Sequence, residues 1–252
     1  MTQVNSLWPE QDLSLSIMGL QEQPEEDTVW SALSQHGYFF LKKWQPEAST
    51  LELACRIGAV VDLENIADAY KLGNLQALKP RERAESNPHS YSAVYGLDEF
   101  PLHTDYAHWG TPPRFLMLRC RAGHPSVTTY LLPWSCIADH ASHLIARAIV
   151  APRRKHPAQV ICPLAVRYSK GGQIGFRWDS LFLKPLNHAA EALAEVVQTR
   201  CKVDSIEIAL SDPGDSLIID NWHMLHGRSK VPEEALNRHI ERIYLSSLRG
   251  MK

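Results

Sequence analysis

Phe100-Pro-Leu-His103-Thr-Asp105-Tyr-Ala-His-Trp-Gly110 is the stretch on which the reading of this chain turns. Phe100-Pro-Leu102 is a short apolar piece that predicts a strand, and Tyr106–Gly110 reads as the loop that follows it. Alternate residues of a strand share a face, so a strand end lets the side chains at i and i+2 converge on one point. An imidazole and a carboxylate placed this way supply two metal ligands. The third candidate lies far downstream, in Asn221-Trp-His223-Met-Leu-His226-Gly-Arg228. His226 is favoured over His223 because Gly227 lets the backbone bend closely around an ion. Two histidines and one carboxylate form a facial ligand set that leaves coordination positions open.

The sequence around this stretch predicts a mixture of helices and strands. Asp27–His36 carries Val29, Trp30 and Leu33 at helical spacing, and Tyr38–Leu41 reads as a buried strand. A second helix is expected over Ala48–Ile57, closed by Gly58. Residues 62–90 read as loop with short elements. Phe115–Leu118 and Val127–Leu132 are expected strands, and Ser135 is the expected N-cap of a helix running to Val150. Lys170-Gly-Gly-Gln173 predicts a hairpin between Ala165–Ser169 and Ile174–Trp178. His188–Cys201 reads as an amphipathic helix, and Pro213-Gly-Asp215 as a turn into a strand over Ser216–Asp220. In Arg238-His-Ile-Glu-Arg242-Ile-Tyr-Leu245 the alternation puts Ile240, Arg242 and Tyr244 on one strand face. A guanidinium there can grip a carboxylate by a bidentate pair.

Composition narrows the classes. The 252 residues carry 44% hydrophobic and 21% charged residues, an ordinary globular balance that fits one domain over 1–252. The net charge of −2 and the short Arg153-Arg-Lys155 cluster argue against a nucleic-acid partner. No apolar run reaches the ~20 residues of a membrane helix. The N-terminus shows no basic and apolar leader pattern. The cysteines, five in number and without a Cys-x-x-Cys pair, read as buried, reduced thiols. Together these features predict a cytoplasmic protein without a nucleic-acid or membrane partner, and nothing in them specifies an oligomeric state.

Several of these pieces fall into a joint pattern: His103-Thr-Asp105, Pro112-Pro-Arg-Phe-Leu-Met-Leu-Arg-Cys120, Pro213-Gly-Asp215, His226-Gly-Arg228 and Arg238-x-x-x-Arg242. The pattern resembles the taurine dioxygenase/clavaminate synthase-like (TauD/TfdA) oxygenases, from about residue 28 to the C-terminus. The resemblance implies an α+β fold with a double-stranded β-helix (jelly-roll) core and flanking helices. It implies Fe(II) on His103, Asp105 and His226, with 2-oxoglutarate and O2 as co-substrates. It assigns the 2-oxoglutarate arginine to Arg242, with Arg238 as runner-up. A co-substrate threonine falls on Thr129, or on Thr128, in a stretch that lacks the glycine pair of relatives.

Related halogenases carry a small residue in place of the carboxylate ligand, so Asp105 implies hydroxylation of a C–H bond, with release of succinate and CO2. Substrate contacts are expected from Tyr91, Ser92, Arg177 and Asp179, with Asn74, Gln76, Arg167 and Trp109 as further candidates. Arg177-Trp-Asp179 resembles the segment whose aspartate binds the amino group in amino-acid-hydroxylating relatives, which implies a small polar metabolite such as an amino acid or a natural-product intermediate. Two alternatives stand beside this reading: a non-catalytic jelly-roll binding protein, and a zinc hydrolase using the same three ligands.

Overall fold

The structure is a computed structural model that describes residues 18–19, 26–63, 73–86, 90–153 and 162–251. The N-terminal stretch read for a leader and most of the Arg153–Lys155 cluster lie outside these residues. In chain order the strands are β1 (Met18–Gly19), β2 (Tyr38–Lys42), β3 (Gly58–Val60), β4 (Leu75–Leu78), β5 (Phe100–His103), β6 (Phe115–Ala122), β7 (Thr128–Pro133) and β8 (Ile149–Pro152). They continue with β9 (Leu164–Ala165), β10 (Arg167–Lys170), β11 (Gln173–Phe176), β12 (Leu183–Pro185), β13 (Ile206–Ala209), β14 (Ser216–Asp220), β15 (Met224–Arg228) and β16 (His239–Leu248).

Two sheets, antiparallel but for the short β1–β2 pair, carry the site. The larger runs β1-β2-β14-β6-β16-β3, with β4 also paired to β16, and the smaller runs β13-β7-β15-β5. Their facing sides share one cluster: Leu116, Leu118, Cys120, Leu217, Ile219, Ile240 and Tyr244 from the larger sheet, Leu131 and Met224 from the smaller. The alternate residues of the larger sheet, including Phe115, Met117, Ile218, Ile243 and Leu245, turn outward. They pack on the helices Glu26–His36 and Thr50–Ile57 through Val29, Leu33, Leu53, Ala54 and Ile57. The smaller sheet turns Leu102, Leu132 and Leu225 toward the helices Trp134–Ile145 and His188–Asp204. Period-two alternation therefore sorts every core strand into a face for the helices and a face for the space between the sheets. The result is an α+β arrangement of mainly antiparallel strands.

Three expectations need correction. The helix after β7 begins at Trp134 with Pro133 as its cap, so Ser135 lies inside it. It ends at Ile145, and Ile149–Pro152 pairs with β9 and β12 as β8, since a buried Ile-Val-Ala run serves a strand as well as a helix. Cys55 and Cys162 are exposed, whereas Cys120 and Cys136 are buried as expected. None of the described helices is long and apolar enough to cross a membrane.

One charged side chain ties β6 to the turns on either side. Arg119 is fully buried and donates to the Trp44 carbonyl at 2.8 Å, the Gln45 carbonyl at 2.5 Å, the Gly214 carbonyl at 3.3 Å and Ser216 Oγ at 2.9 Å. Burial pushes its pKa down to about 10, which leaves it charged at neutral pH. Arg119→Met strips donors from buried carbonyls, each worth about 1–3 kcal/mol when left unmet. The urea unfolding midpoint is expected to fall by the equivalent of about 3 kcal/mol, and a loss under about 1 kcal/mol would contradict this bracing role.

Candidate metal centre

His103 and His226 face one another because β5 and β15 pair antiparallel with these two residues in direct register. The ladder slips between His226 and Arg228, whose partner on β5 is Phe100, and this bulge lies beside the histidine pair. Asp105 enters from the turn after β5. The three residues are 6%, 8% and 6% exposed, and one potential ligand atom from each lies within 4.8 Å of the others. His103 Nε2 is 3.7 Å from Asp105 Oδ1, and His226 Nε2 is 3.5 Å from Oδ2. The Pro101 carbonyl, 2.8 Å from His103 Nδ1, can only accept, so Nδ1 carries the proton and Nε2 offers a lone pair inward. His223 instead bonds Asp220 at 3.0 Å on the rim.

The Asp105 turn is held from several directions. Asn221, fully buried, accepts from the Asp105 N–H at 2.8 Å and donates to the carbonyls of Asp105 (3.1 Å) and Pro113 (2.9 Å). Thr104 N–H donates to the Trp178 carbonyl at 2.8 Å, and Trp178 N–H to Thr104 Oγ1 at 3.0 Å. Arg177 donates to the carbonyls of Ala107 (3.1 Å), Trp109 and Gly110 (2.9 Å). Expected at the substrate, Arg177 is therefore committed to the backbone of the loop that follows Asp105. Tyr106 at φ 53° is a costly conformation for a bulky residue, and that loop is where it sits.

Burial lowers His103, but the hydrogen bond and the charge of Asp105 raise it on balance. Burial alone would raise Asp105, but Arg242 and the neighbouring histidines hold its carboxyl well below the usual range. Burial pushes His226 down, toward the neutral form that ligates metal. Arg242 Nη1 lies 3.0 Å from both Asp105 oxygens, and its Nε and Nη2 bond Gln76 Oε1 at 3.1 and 2.7 Å. Tyr244 donates to Asp105 Oδ2 at 2.8 Å. The arginine expected to hold the co-substrate first, Arg242, thus already has a carboxylate partner.

Arg238 differs. It is 6% exposed, and among the described residues it has no carboxylate at salt-bridge distance. Its Nε has no hydrogen-bond partner among the described residues, and burial lowers its pKa to about 10. Its electrostatic neighbours are Cys120 and Arg228. Thr129, buried on β7, stands opposite Arg228, two strand residues from the Leu131–His226 pair and on the same face.

The remaining expected residues divide. Tyr91 stacks on His103 with ring centroids 4.3 Å apart. Asp179, buried, takes the N–H groups of Leu181 and Phe182 on Oδ1, both at 2.8 Å, and it couples electrostatically to His103. Ser92 lies on the helix Tyr91–Tyr95, where its carbonyl receives Gly96 N–H, and Arg167 sits in the β10–β11 hairpin. Asn74 accepts from Leu63 N–H, and Trp109 packs on Tyr106 at 4.2 Å. Sequence reasoning missed Asn221 and Thr104, and it placed Tyr244 on the right face without giving it a role.

No protein-family model and no curated protein matches the chain. Solved structures do. An asparagine oxygenase in complex with Fe(II), 2S,3S-3-hydroxyasparagine and succinate matches with a TM-score of 0.62 at 14% identity, over 85% of this chain and 77% of that one. PvcB, an Fe, alpha-ketoglutarate dependent oxygenase from an isonitrile synthetic pathway, matches with a TM-score of 0.64 at 17% identity, over 90% and 82%. The non-heme iron oxygenase OrfP in complex with Fe, succinate and (3S)-hydroxy-L-Arg matches with a TM-score of 0.58 at 17% identity, over 87% and 78%. At such identities it is the fold that is shared.

Arg177→Ala tests the loop brace. It is expected to weaken Co(II) uptake about 10–100-fold, the usual effect of losing a group that orients a ligand. Unchanged Co(II) affinity with a raised KM for substrate would instead return Arg177 to the substrate.

Proposed function

We propose that this chain is a single-domain Fe(II)- and 2-oxoglutarate-dependent oxygenase with a jelly-roll core, which hydroxylates a C–H bond of a small amino-acid-like metabolite. The observation that carries the reading is the pairing of two features: a His-Asp-His cluster and a buried arginine that has no carboxylate partner among the described residues. His103, Asp105 and His226 would hold the ion, a donor set that suits ferrous iron and leaves positions for co-substrate and dioxygen. Iron with bound 2-oxoglutarate supplies the oxidising power, and succinate and CO2 are the co-products.

Arg238 and Thr129 would hold the far carboxylate of 2-oxoglutarate. Thr129 stands two strand residues from the His226 level, about 7 Å along the strand, which matches the reach of a five-carbon diacid. A buried guanidinium without an anion is costly, and a ligand carboxylate removes that cost by a bidentate pair. We prefer Arg238 to Arg242 for this role because Arg242 is already engaged by Asp105 and Gln76.

On the substrate side, Asp179 would take an amino group. Its Oδ1 is satisfied by two backbone N–H groups, which leaves Oδ2, beside Tyr91 and within electrostatic reach of His103, as the acceptor. The hydroxylated amino acids bound to the asparagine oxygenase and to OrfP support that substrate class. Tyr91, stacked on His103, would cover the ion from one side and exclude water.

Anaerobic titration of Fe(II)-loaded protein with 2-oxoglutarate, followed by visible absorption, tests the reading. A charge-transfer band is expected in wild type and absent in His103→Ala. Arg238→Met is expected to need about 10–100-fold more 2-oxoglutarate, the worth of a charged hydrogen bond. Wild-type protein without a band at saturating iron and 2-oxoglutarate would overturn the proposal.

A further inference from the structure

Aromatic side chains form a continuous arc beside the His-Asp-His cluster. It begins at Tyr91, stacked on His103, and passes to Phe182, whose ring meets Tyr91 edge-on at 5.4 Å. Phe182 lies 5.9 Å from His108, which lies 6.3 Å from Tyr106. Tyr106 returns to the cluster through Tyr244, at 5.1 Å, and Tyr244 donates to Asp105. Both ends of the arc therefore rest on the cluster. Tyr91, Phe182, His108 and Tyr106 are each partly exposed, whereas His103, Asp105 and Tyr244 are buried. The middle of the arc thus keeps ring surface uncovered. Burial pushes His108 toward its neutral form, so it offers a ring without a charge.

One turn ties this wall to a carboxylate. Asp179 Oδ1 accepts from the N–H groups of Leu181 and Phe182, and the Phe182 carbonyl accepts from Arg153 N–H at 2.8 Å. The bonds that fix the Phe182 backbone are the same ones that leave Asp179 Oδ2 free, three residues away. A group held on that oxygen carries its substituent toward the Phe182 end of the arc. We propose that the site selects an amino acid with an aromatic side chain, its ammonium on Asp179 and its ring against Phe182 and His108. This deepens the assignment of Asp179 to a substrate amino group, and rests on it. Each aryl–aryl pair is worth several-fold in affinity beyond the apolar area it buries. A strongly polar side chain placed against the same rings loses its water and gains no partner from them.

Calorimetric titration of the full chain tests this, with and without Co(II) and 2-oxoglutarate. The probes are L-phenylalanine, L-leucine, L-arginine, L-asparagine and 3-phenylpropionate. L-phenylalanine is expected to bind about tenfold tighter than L-leucine, the combined worth of two ring pairs. It is expected to exceed L-arginine and L-asparagine by at least as much. 3-Phenylpropionate, which keeps the ring and the carboxylate but has no ammonium, is expected to bind about 10–100-fold more weakly than L-phenylalanine. Phe182→Leu keeps an apolar side chain and removes the ring, and it is expected to cut the phenylalanine-to-leucine ratio several-fold. The proposal is overturned if wild type binds none of the amino acids, or binds L-phenylalanine no tighter than L-leucine or L-arginine. Equal binding of 3-phenylpropionate, or a folded Phe182→Leu protein with the wild-type ratio, also overturns it. The wild-type ratios decide the matter even where the variant does not fold. Preference for L-phenylalanine in protein that binds no 2-oxoglutarate would sink the oxygenase reading alone. 2-Oxoglutarate binding without that preference would sink the aromatic selection alone.

Discussion

The direct register of His103 with His226 across the β5–β15 ladder is the constraint from which the rest of the site follows. In an antiparallel pair, directly opposed residues put their side chains on the same face, a few ångströms apart. A slip of one residue on either strand would turn one imidazole toward the helices and dissolve the cluster. The register is fixed on both sides. Leu102, Leu132 and Leu225 are buried against the helices on the outer face, while Leu131 and Met224 are buried between the sheets. Apolar burial that has no chemistry of its own thus sets the geometry of the polar cluster.

Asp105 is the least regular of the three clustered residues, since it leaves the strand and enters a turn whose next residue has a positive φ. Its position depends on hydrogen bonds more than on packing. Asn221 holds the backbone on one side, Thr104 and Trp178 lock the preceding residue, and Arg177 fixes the loop beyond. Arg242 and Tyr244 hold the carboxylate itself. This division is physically sensible, because a ligand on a loop needs directional bonds to reach the precision that a strand provides by register.

Much of this was legible in the sequence, and the reasons differ by residue. The i, i+2 spacing of His103 and Asp105 and the glycine after His226 marked three residues that the fold brings together, although Asp105 does so from the turn after the strand and not from the strand itself. Alternation in β16 put Arg242 and Tyr244 inward. Alternation cannot say which partner an inward arginine meets, so Arg238 and Arg242 were separable only by the carboxylates around them in three dimensions. Asn221 and Thr104 act through backbone groups of distant segments, and no local pattern carries that information. The early end of the helix at Ile145 was hidden for another reason: an apolar run ending in Ile-Val-Ala suits a helix and a buried strand equally.

The central claim is that His103, Asp105 and His226 hold one ferrous ion with open positions facing the space between the sheets. The most direct measurement is the electron paramagnetic resonance spectrum of the Fe(II)-loaded protein exposed to nitric oxide, with and without 2-oxoglutarate. The account predicts a high-spin iron–nitrosyl signal whose shape changes when 2-oxoglutarate is added, because both ligands then share the ion. Stoichiometrically bound Fe(II) that gives no nitrosyl signal, or a signal indifferent to 2-oxoglutarate, would contradict it.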